Sequence, residues 1–159
     1  MMNRRHFHAA AFALTPLAAA LATLTACKPK GNWPAGMQPI TWDRDTCARC
    51  SMVISERRFA AEIANPQGKA AFKFDDIGCA LFWQRDKATD HPWMADAAAL
   101  IWVADSASKG NDVTWLDARA ARYVRKTSPM GYDFGATADN QADAIDFNAM
   151  RDQVLSKKR

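Results

Sequence analysis

Two stretches of this chain share one order of elements: a strand, a turn, a second strand and an aspartate placed to begin a helix. In the first stretch, residues 58–63 and 70–74 have the composition of strands, and the turn residues Asn65-Pro66-Gln67-Gly68 separate them. Asp75 follows as a helix N-cap, and the apolar residues after it recur at helical spacing. This stretch therefore predicts a hairpin followed by a helix.

The second stretch repeats this order. Residues 98–104 form an apolar run of strand length, residues 108–112 are typical of a turn, and residues 113–115 are the returning strand. Asp117 then precedes a predicted helix over residues 118–124. We therefore expect two similar ββα-type halves.

The C-terminal segment completes the predicted fold. Residues 138–155 carry apolar side chains at helical spacing, including Ala142, Ile145 and Ala149, so we expect an amphipathic helix that packs on the domain. Hairpins followed by helices, without a strict alternation of strand and helix, indicate the α+β class with small antiparallel sheets.

The N-terminus has the pattern of an export signal. Arg4 and Arg5 form a basic head, residues 7–24 are mostly apolar, and Leu24-Thr25-Ala26-Cys27 follows. That tetrapeptide resembles the bacterial lipoprotein box, which predicts a signal peptide over residues 1–26 and lipidation of Cys27. The alternatives are an ordinary signal peptide with an incidental cysteine, and either general or twin-arginine export.

The remaining chain is expected to be one tethered domain. Residues 27–41 are rich in Pro and Gly and have no period, so they predict a tether from the lipid, in which Met37 has no expected role. Residues 42–159 are long enough for a single domain with a sizeable core. The chain has 21 Lys and Arg against 17 Asp and Glu, and no clustered basic face, which argues against nucleic-acid binding.

Three sulfur side chains fall within six residues, Cys47-Ala48-Arg49-Cys50-Ser51-Met52. Thiolates and thioethers are soft donors that favour Cu(I), whereas zinc would leave the methionine without a purpose. If residues 50–54 form a strand, Cys50 and Met52 project from the same face and could hold one ion. The alternative is a pair of structural cysteines with a core methionine.

Two other sulfur residues have suggestive surroundings. Met130 lies between Pro129 and Gly131, a setting that fixes the chain and presents one side chain. Cys79 lies near the start of the predicted helix, where the helix dipole would lower its pKa, although a buried small apolar role is the simpler interpretation. Met94 and Met150 lack such a setting and are expected in the core.

Export leaves the cysteines in an oxidising compartment. With Cys27 acylated, Cys47, Cys50 and Cys79 remain, an odd number of thiols. A bound metal is one reason to retain an unpaired thiolate. The competing possibility is a disulfide between Cys47 and Cys50 that masks the site.

With these residues in place, the chain resembles a known family, the NosL accessory lipoproteins of nitrous oxide reductase. The matching features, in the family's order and over nearly all of the mature domain, are Cys27, the Cys-x-x-Cys-x-Met run at residues 47–52, residues 74–79, residues 115–124 and the Pro-Met-Gly run at residues 129–131. This resemblance implies a two-lobed α+β fold similar to organomercurial lyase.

The resemblance also implies a function. It predicts a carrier rather than an enzyme: a Cu(I) chaperone, anchored by lipid in the periplasm. This chaperone would feed copper to the assembly of the tetranuclear sulfide-bridged centre of nitrous oxide reductase, with hand-over through the membrane copper and sulfur transporter complex.

The family's Cys-x-Met ligand pair falls on Cys50 and Met52, and Met130 occupies its Pro-Met-Gly loop. Cys47 is expected to be a further ligand or a redox partner of Cys50. Ser51 stands where many members have Gly, and we expect the serine to make the loop stiffer than in those members. The stretch after Met130 also has fewer Gly and Ser residues than is usual in the family.

Two other functions compete with this one. Cys47 and Cys50 could serve a thiol–disulfide oxidoreductase, although the pair has no βαβ context of the thioredoxin kind. The likeness to organomercurial lyase suggests instead a C–Hg cleavage by Cys50 and Cys79 with an aspartate. The additional methionines favour a carrier of the ion.

Overall fold

A four-stranded antiparallel sheet is the centre of the fold. The computed structural model describes residues 31–157. The sheet has the order β2-β1-β3-β4 and consists of β1 (Ala61–Ala64), β2 (Ala71–Phe74), β3 (Leu100–Ala104) and β4 (Trp115–Asp117). The turn at residues 65–68 joins β1 to β2, where the backbone N–H of Gly68 donates to the carbonyl of Asn65 at 2.8 Å.

A second, two-stranded sheet and two helices complete the domain. The strands are β5 (Arg122–Arg125) and β6 (Phe134–Thr137), and the helices are α1 (Ile77–Asp86) and α2 (Phe147–Ser156). Short 3-10 turns lie at Arg57–Phe59 and Pro92–Ala95. The prediction of an α+β fold with small antiparallel sheets and a C-terminal helix is confirmed.

The helix predicted over residues 118–124 is wrong. The chain instead turns after β4 and forms β5, which pairs with β6. Tyr123 is fully buried while Arg122 and Val124 are only half-buried, an alternation that suits a strand. The Tyr123 hydroxyl donates to the carbonyl of Ala118 at 2.7 Å and fixes the turn. The second unit thus has no helix of its own, and the four strands of both units form one sheet.

The C-terminal helix is shorter than predicted. It begins at Phe147 rather than near Ala138, because Asp146 accepts the backbone N–H of Ala149 at 2.8 Å and caps the helix there. Its buried residues, Phe147, Met150 and Val154, lie on one stripe that packs against α1.

The two faces of the four-stranded sheet are covered differently. Helix α1 covers one face, where Trp83 contacts Phe72 and Phe74 at ring-centroid distances of 5.4 and 6.4 Å. The segment before Cys47 covers the other, since the Lys73 ammonium donates to the carbonyl of Pro39 and to Asp45, both at 2.6 Å.

The described part of the predicted tether packs against the domain. Met37 and Ile40 are buried in the core, and Trp33 stacks on Trp42 and tilts against Trp115. Residues 33–41 are therefore part of the packed structure, because their apolar side chains cover the sheet. The predicted signal peptide and the lipidation at Cys27 lie outside the described residues. Within residues 31–157 neither helix is long and apolar enough to cross a membrane.

Glu62 places a buried carboxyl on the sheet face beneath this segment. The side chain is fully buried, one carboxyl oxygen accepts the backbone N–H of Gln38 at 2.8 Å, and the other has no partner among the described residues. Burial raises the pKa of Glu62 from its ordinary 4.5 to about 7, although Lys73 opposes the shift.

We predict that this carboxyl makes the protein less stable as the pH rises. The folded state binds the proton more tightly than the unfolded state, so the free energy of unfolding should fall between about pH 4.5 and pH 7. Glu62→Gln keeps an acceptor for Gln38 and should be more stable than wild type at pH 8, by about 2–3 kcal/mol. Urea unfolding at pH 5 and pH 8 measures this, with the exposed Asp112→Asn as control. An equal pH dependence in wild type and Glu62→Gln would contradict it.

Candidate metal centre

The Cys-x-x-Cys-x-Met segment forms a tight turn. The backbone N–H of Ser51 donates to the carbonyl of Cys47 at 2.9 Å, and the N–H of Cys47 donates to the carbonyl of Met52 at 2.8 Å. Ser51 has φ 63°, the left-handed region that favours glycine. Residues 50–54 therefore do not form the strand on which the same-face arrangement of Cys50 and Met52 depended, because Ser51 reverses the chain between them.

Four donor side chains converge next to this turn. The sulfur atoms of Cys47, Cys50 and Cys79 and a carboxylate oxygen of Asp75 all lie within 4.8 Å of one another. We call this set the thiol cluster. The Cys50 thiol is 3.7 and 3.8 Å from the two oxygens of Asp75. Three different elements supply the cluster: the turn, the end of β2 and the first turn of α1.

The two aspartates that precede α1, Asp75 and Asp76, have different roles. Asp76, not Asp75, is the N-cap, and its carboxylate accepts the backbone N–H of Gly78 at 2.8 Å. The prediction that Asp75 caps the helix is wrong by one residue. Because Asp76 satisfies the helix end, the Asp75 carboxylate is left to face Cys50.

The thiol cluster is open on one side. Cys47 and Cys79 are buried, with exposures of 1% and 0%, whereas Cys50 is half-buried. Met52, on the outer side of the turn, is 53% exposed, and Val53 beside it is also exposed. All three cysteines are free thiols. A ligand from solvent would therefore meet Cys50 and Met52 before the other two sulfurs.

The three thiols differ in acidity because they bond to one another. A hydrogen bond from the Cys79 thiol lowers the pKa of Cys47 to about 7, and backbone N–H groups including that of Cys50 contribute. The same bond to Cys47 raises the pKa of Cys79, so the helix dipole does not lower it, and the favoured interpretation of Cys79 as a buried side chain agrees with its exposure of 0%. Burial raises the pKa of Cys50 to about 11. Cys47 is thus the first of the three to become a thiolate.

The loop that carries Met130 reaches the same end of α1. The Ser128 hydroxyl donates to Asp76 at 2.5 Å, and the backbone N–H of Met130 points to the same oxygen at 3.4 Å. Burial raises the pKa of this Asp76 carboxyl to about 6. Met130 is half-buried against the core. The loop is therefore held beside Asp76, the neighbour of Asp75 in the thiol cluster. The roles of Met52 and Met130 as ligands stay predictions.

Two members of the thiol cluster, Cys79 and Asp75, were not among the predicted ligands. Their signal in the sequence is a spacing of four residues across the start of a helix, which places both on one side. The predicted cap at Asp75 gave this carboxylate another role, because a capping carboxylate accepts backbone N–H groups of the helix. The predicted ligands Cys47 and Cys50 do lie in the cluster.

The donor set suits a soft metal ion. Three sulfurs and one carboxylate, most of them buried, offer anionic ligands that a cation can neutralise, and thiolates are ligands for Cu(I) and for zinc. Removing these groups from water is costly when they ionise alone, so a bound cation would offset the cost.

Comparison with known proteins supports the fold. No family profile matches the chain, and no curated protein sequence matches it significantly. Among solved structures, it is similar to the copper chaperone NosL from Shewanella denitrificans. The similarity covers 76% of this chain and 89% of that one, with a TM-score of 0.52 and 18% sequence identity. At this identity, the likeness establishes a shared fold.

The hydrogen bond between Cys79 and Cys47 should be visible in a thiolate titration. Under anaerobic conditions, ultraviolet thiolate absorbance of the wild type should rise near pH 7, as Cys47 ionises. Cys79→Ala removes the donor and should move this rise toward the ordinary thiol value of 9.0. Cys79→Ser retains a hydroxyl donor and should keep the rise near neutral pH. A rise near pH 7 in Cys79→Ala would show that another group sets the acidity of Cys47.

Proposed function

We propose that this protein is a lipid-anchored periplasmic Cu(I) carrier that supplies copper for assembly of the copper centre of nitrous oxide reductase. The observation that carries the proposal is the thiol cluster: three free cysteines and a carboxylate within 4.8 Å, with Cys50 at the open side. A carrier must hold its ion firmly and still let an acceptor reach it, and a pocket with one accessible thiol meets both needs.

The chemistry of the donors supports copper in its monovalent state. Cu(I) prefers thiolates and thioethers, and Met52, whose side chain is exposed, follows Cys50 by two residues in the same turn. In the proposed site Cys50 is the thiolate anchor, Cys47 a second thiolate, and Met52 and Met130 neutral donors that are easily displaced. A shared fold with a copper chaperone is consistent with this ligand set.

Release follows from the acidity of Cys50. An incoming thiolate of the acceptor bonds to copper as the bond to Cys50 breaks, so the number of sulfur ligands is conserved during transfer. Because the pKa of Cys50 is raised to about 11, the freed sulfur takes up a proton at neutral pH. That protonation opposes rebinding and favours delivery.

The proposed location and partners rest on the sequence. The basic head, apolar run and Leu24-Thr25-Ala26-Cys27 support export and anchoring through Cys27. The resemblance of the motifs to the NosL accessory proteins supports nitrous oxide reductase and its membrane copper and sulfur transporter complex as partners. Anchoring would keep the carrier beside such a complex.

A thiol–disulfide oxidoreductase is the second candidate, because the pKa of Cys47 is lowered to about 7. The arrangement of the pair argues against it. Exchange needs a thiolate that a substrate disulfide can reach, whereas the more acidic thiol here is buried and the accessible Cys50 has a raised pKa.

Copper binding can be tested by anaerobic titration of the mature protein with Cu(I) against a competing chelator. Cys50→Ser removes the accessible thiolate and should weaken Cu(I) binding by on the order of 100-fold. Met150→Leu is the matched control, since it replaces a buried sulfur in α2 outside the cluster and should bind as wild type. If Cys50→Ser binds Cu(I) with wild-type affinity, the proposal is wrong.

The same titration should depend on pH. Copper must displace protons from the cysteines that bind it. The affinity for Cu(I) should therefore fall as the pH drops from 8, because Cys50 is protonated throughout this range, and should fall more steeply below about pH 7, where Cys47 is also protonated. Repeating the competition between pH 5.5 and 8 measures this trend. An affinity for Cu(I) that stays constant over that range would contradict binding by thiolates.

A further inference from the structure

Arg49 joins the turn at residues 47–52, which we call the cysteine turn, to the loop that carries Met130. It lies between Cys47 and Cys50, and its guanidinium donates to the Tyr132 hydroxyl at 2.8 Å. The guanidinium carbon also lies 4.6 Å from the centre of the Phe82 ring. Arg49 forms no ion pair with any carboxylate of residues 31–157. Its guanidinium instead contacts the Phe82 ring and the Tyr132 hydroxyl.

Tyr132 is a rigid partner for this contact. Its ring is fully buried, lies 5.6 Å from Phe82, and rests directly on Gly78 of α1. A Cβ at residue 78 would come within 2.1 Å of the Tyr132 ring, so only glycine permits this approach. The hydroxyl that receives Arg49 is consequently fixed relative to the helix that also carries Cys79.

The rest of the loop is anchored on its other side. The Lys157 ammonium donates to the carbonyls of Gly131 and Tyr132 at 3.1 and 2.9 Å. Ser128 bonds to Asp76 and also accepts the backbone N–H of Asp133 at 3.0 Å. Residues 128–133 are therefore held between the start of α1 and the end of α2, so a contact to this loop can restrain a neighbouring segment.

The cysteine turn needs such a hold on its open side. Its inner side is bound to β2, where the backbone N–H of Ala48 donates to the carbonyl of Lys73 at 2.9 Å. On the side of Cys50, the contact to Asp75 is a weak thiol hydrogen bond at 3.7 Å. Arg49 is the residue directly before Cys50, so its bond to Tyr132 restrains the backbone that positions this thiol.

We propose that Arg49 is a positioning residue, which uses its contact with Tyr132 to hold Cys50 in place beside the Met130 loop. The inference rests on the proposed function, because the consequence of this clamp is slower loss of Cu(I). A bound ion that joins sulfurs from both loops is retained only while the loops keep their separation. Loosening the clamp lets Cys50 move away and exposes the ion to a competing ligand.

The test compares Arg49→Ala, Tyr132→Phe and the double variant in the mature protein. Release of Cu(I) to excess chelator should be about tenfold faster in either single variant, the effect expected for losing one hydrogen bond to a charged group. The double variant should release copper little faster than Arg49→Ala, because both substitutions remove the same contact. Tyr132→Phe keeps the ring on Gly78, so the loop retains its packing.

Arg85→Ala is the matched control. Its guanidinium carbon also lies over Phe82, at 4.5 Å, but Arg85 is in the last turn of α1 and its guanidinium pairs with Asp86. It should release Cu(I) as wild type does. Urea unfolding of all variants separates the clamp from a general loss of stability, since the release rates should not follow the free energies of unfolding.

Hydrogen exchange tests the clamp without copper. In metal-free Arg49→Ala and Tyr132→Phe, the amides of residues 49–52 should exchange faster than in wild type and in Arg85→Ala. Unchanged exchange and unchanged release in both variants would overturn the inference and leave the proposed function intact. A wild-type protein that binds no Cu(I) would instead overturn the proposed function, and with it the role of Arg49 in copper retention.

Discussion

The hydrogen bonds of one buried carboxylate, Asp76, hold the candidate site in its arrangement. Asp76 caps α1 through the backbone N–H of Gly78 and binds the distant loop through the Ser128 hydroxyl. By satisfying the helix end, it leaves Asp75 to face the thiols. By holding the loop, it brings Met130 to the same end of the helix. Because the carboxyl is buried, losing either partner would leave a polar group poorly satisfied, which explains why the two elements stay joined.

The thiol cluster depends on this arrangement for its chemistry. Cys79 enters from the first turn of α1 and lies against Cys47, and the hydrogen bond between them makes Cys47 the most acidic of the three thiols. The accessible Cys50 has a raised pKa instead. The most acidic thiol, Cys47, is thus buried, and the accessible thiol, Cys50, is less acidic. A reactive thiol for exchange would combine them, whereas a pocket that retains an ion and releases it at one edge benefits from their separation.

The sequence predicted most of the fold where local pattern and tertiary contacts agree. The hairpin of β1 and β2 has clear turn residues, and α1 and α2 have apolar residues at helical spacing, so the first hairpin, the helix after it and the C-terminal helix were predicted. The Asp146 cap that begins α2 was not identified, and the helix was therefore predicted too long. Residues 118–124 were predicted as a helix because Asp117 resembles a cap. The pairing of β5 with β6 decided otherwise, and that partner is too far along the chain to be read from local spacing.

Only part of the site was predicted, because some of its residues come together through contacts between distant segments of the chain. The spacing of Cys47 and Cys50 marks them directly, whereas Cys79 and Asp75 join the cluster only through the fold. Cys50 and Met52 would share one face only if residues 50–54 formed a strand, but a single left-handed residue, Ser51, turns the chain there. The burial of Met37 and Ile40 also could not be read from a Pro- and Gly-rich segment, because their contacts are with a sheet that forms later in the sequence.

Copper X-ray absorption spectroscopy of the Cu(I)-loaded mature protein would show whether copper binds in the thiol cluster, since it reports the atoms bonded to the metal. We expect a coordination shell made of sulfur atoms, with at least two of them lost or replaced by lighter atoms when Cys47 and Cys50 are both changed to Ser. A coordination shell of nitrogen and oxygen in the wild type, or a sulfur shell that is unchanged in the Cys47→Ser/Cys50→Ser protein, would contradict binding of copper in the thiol cluster.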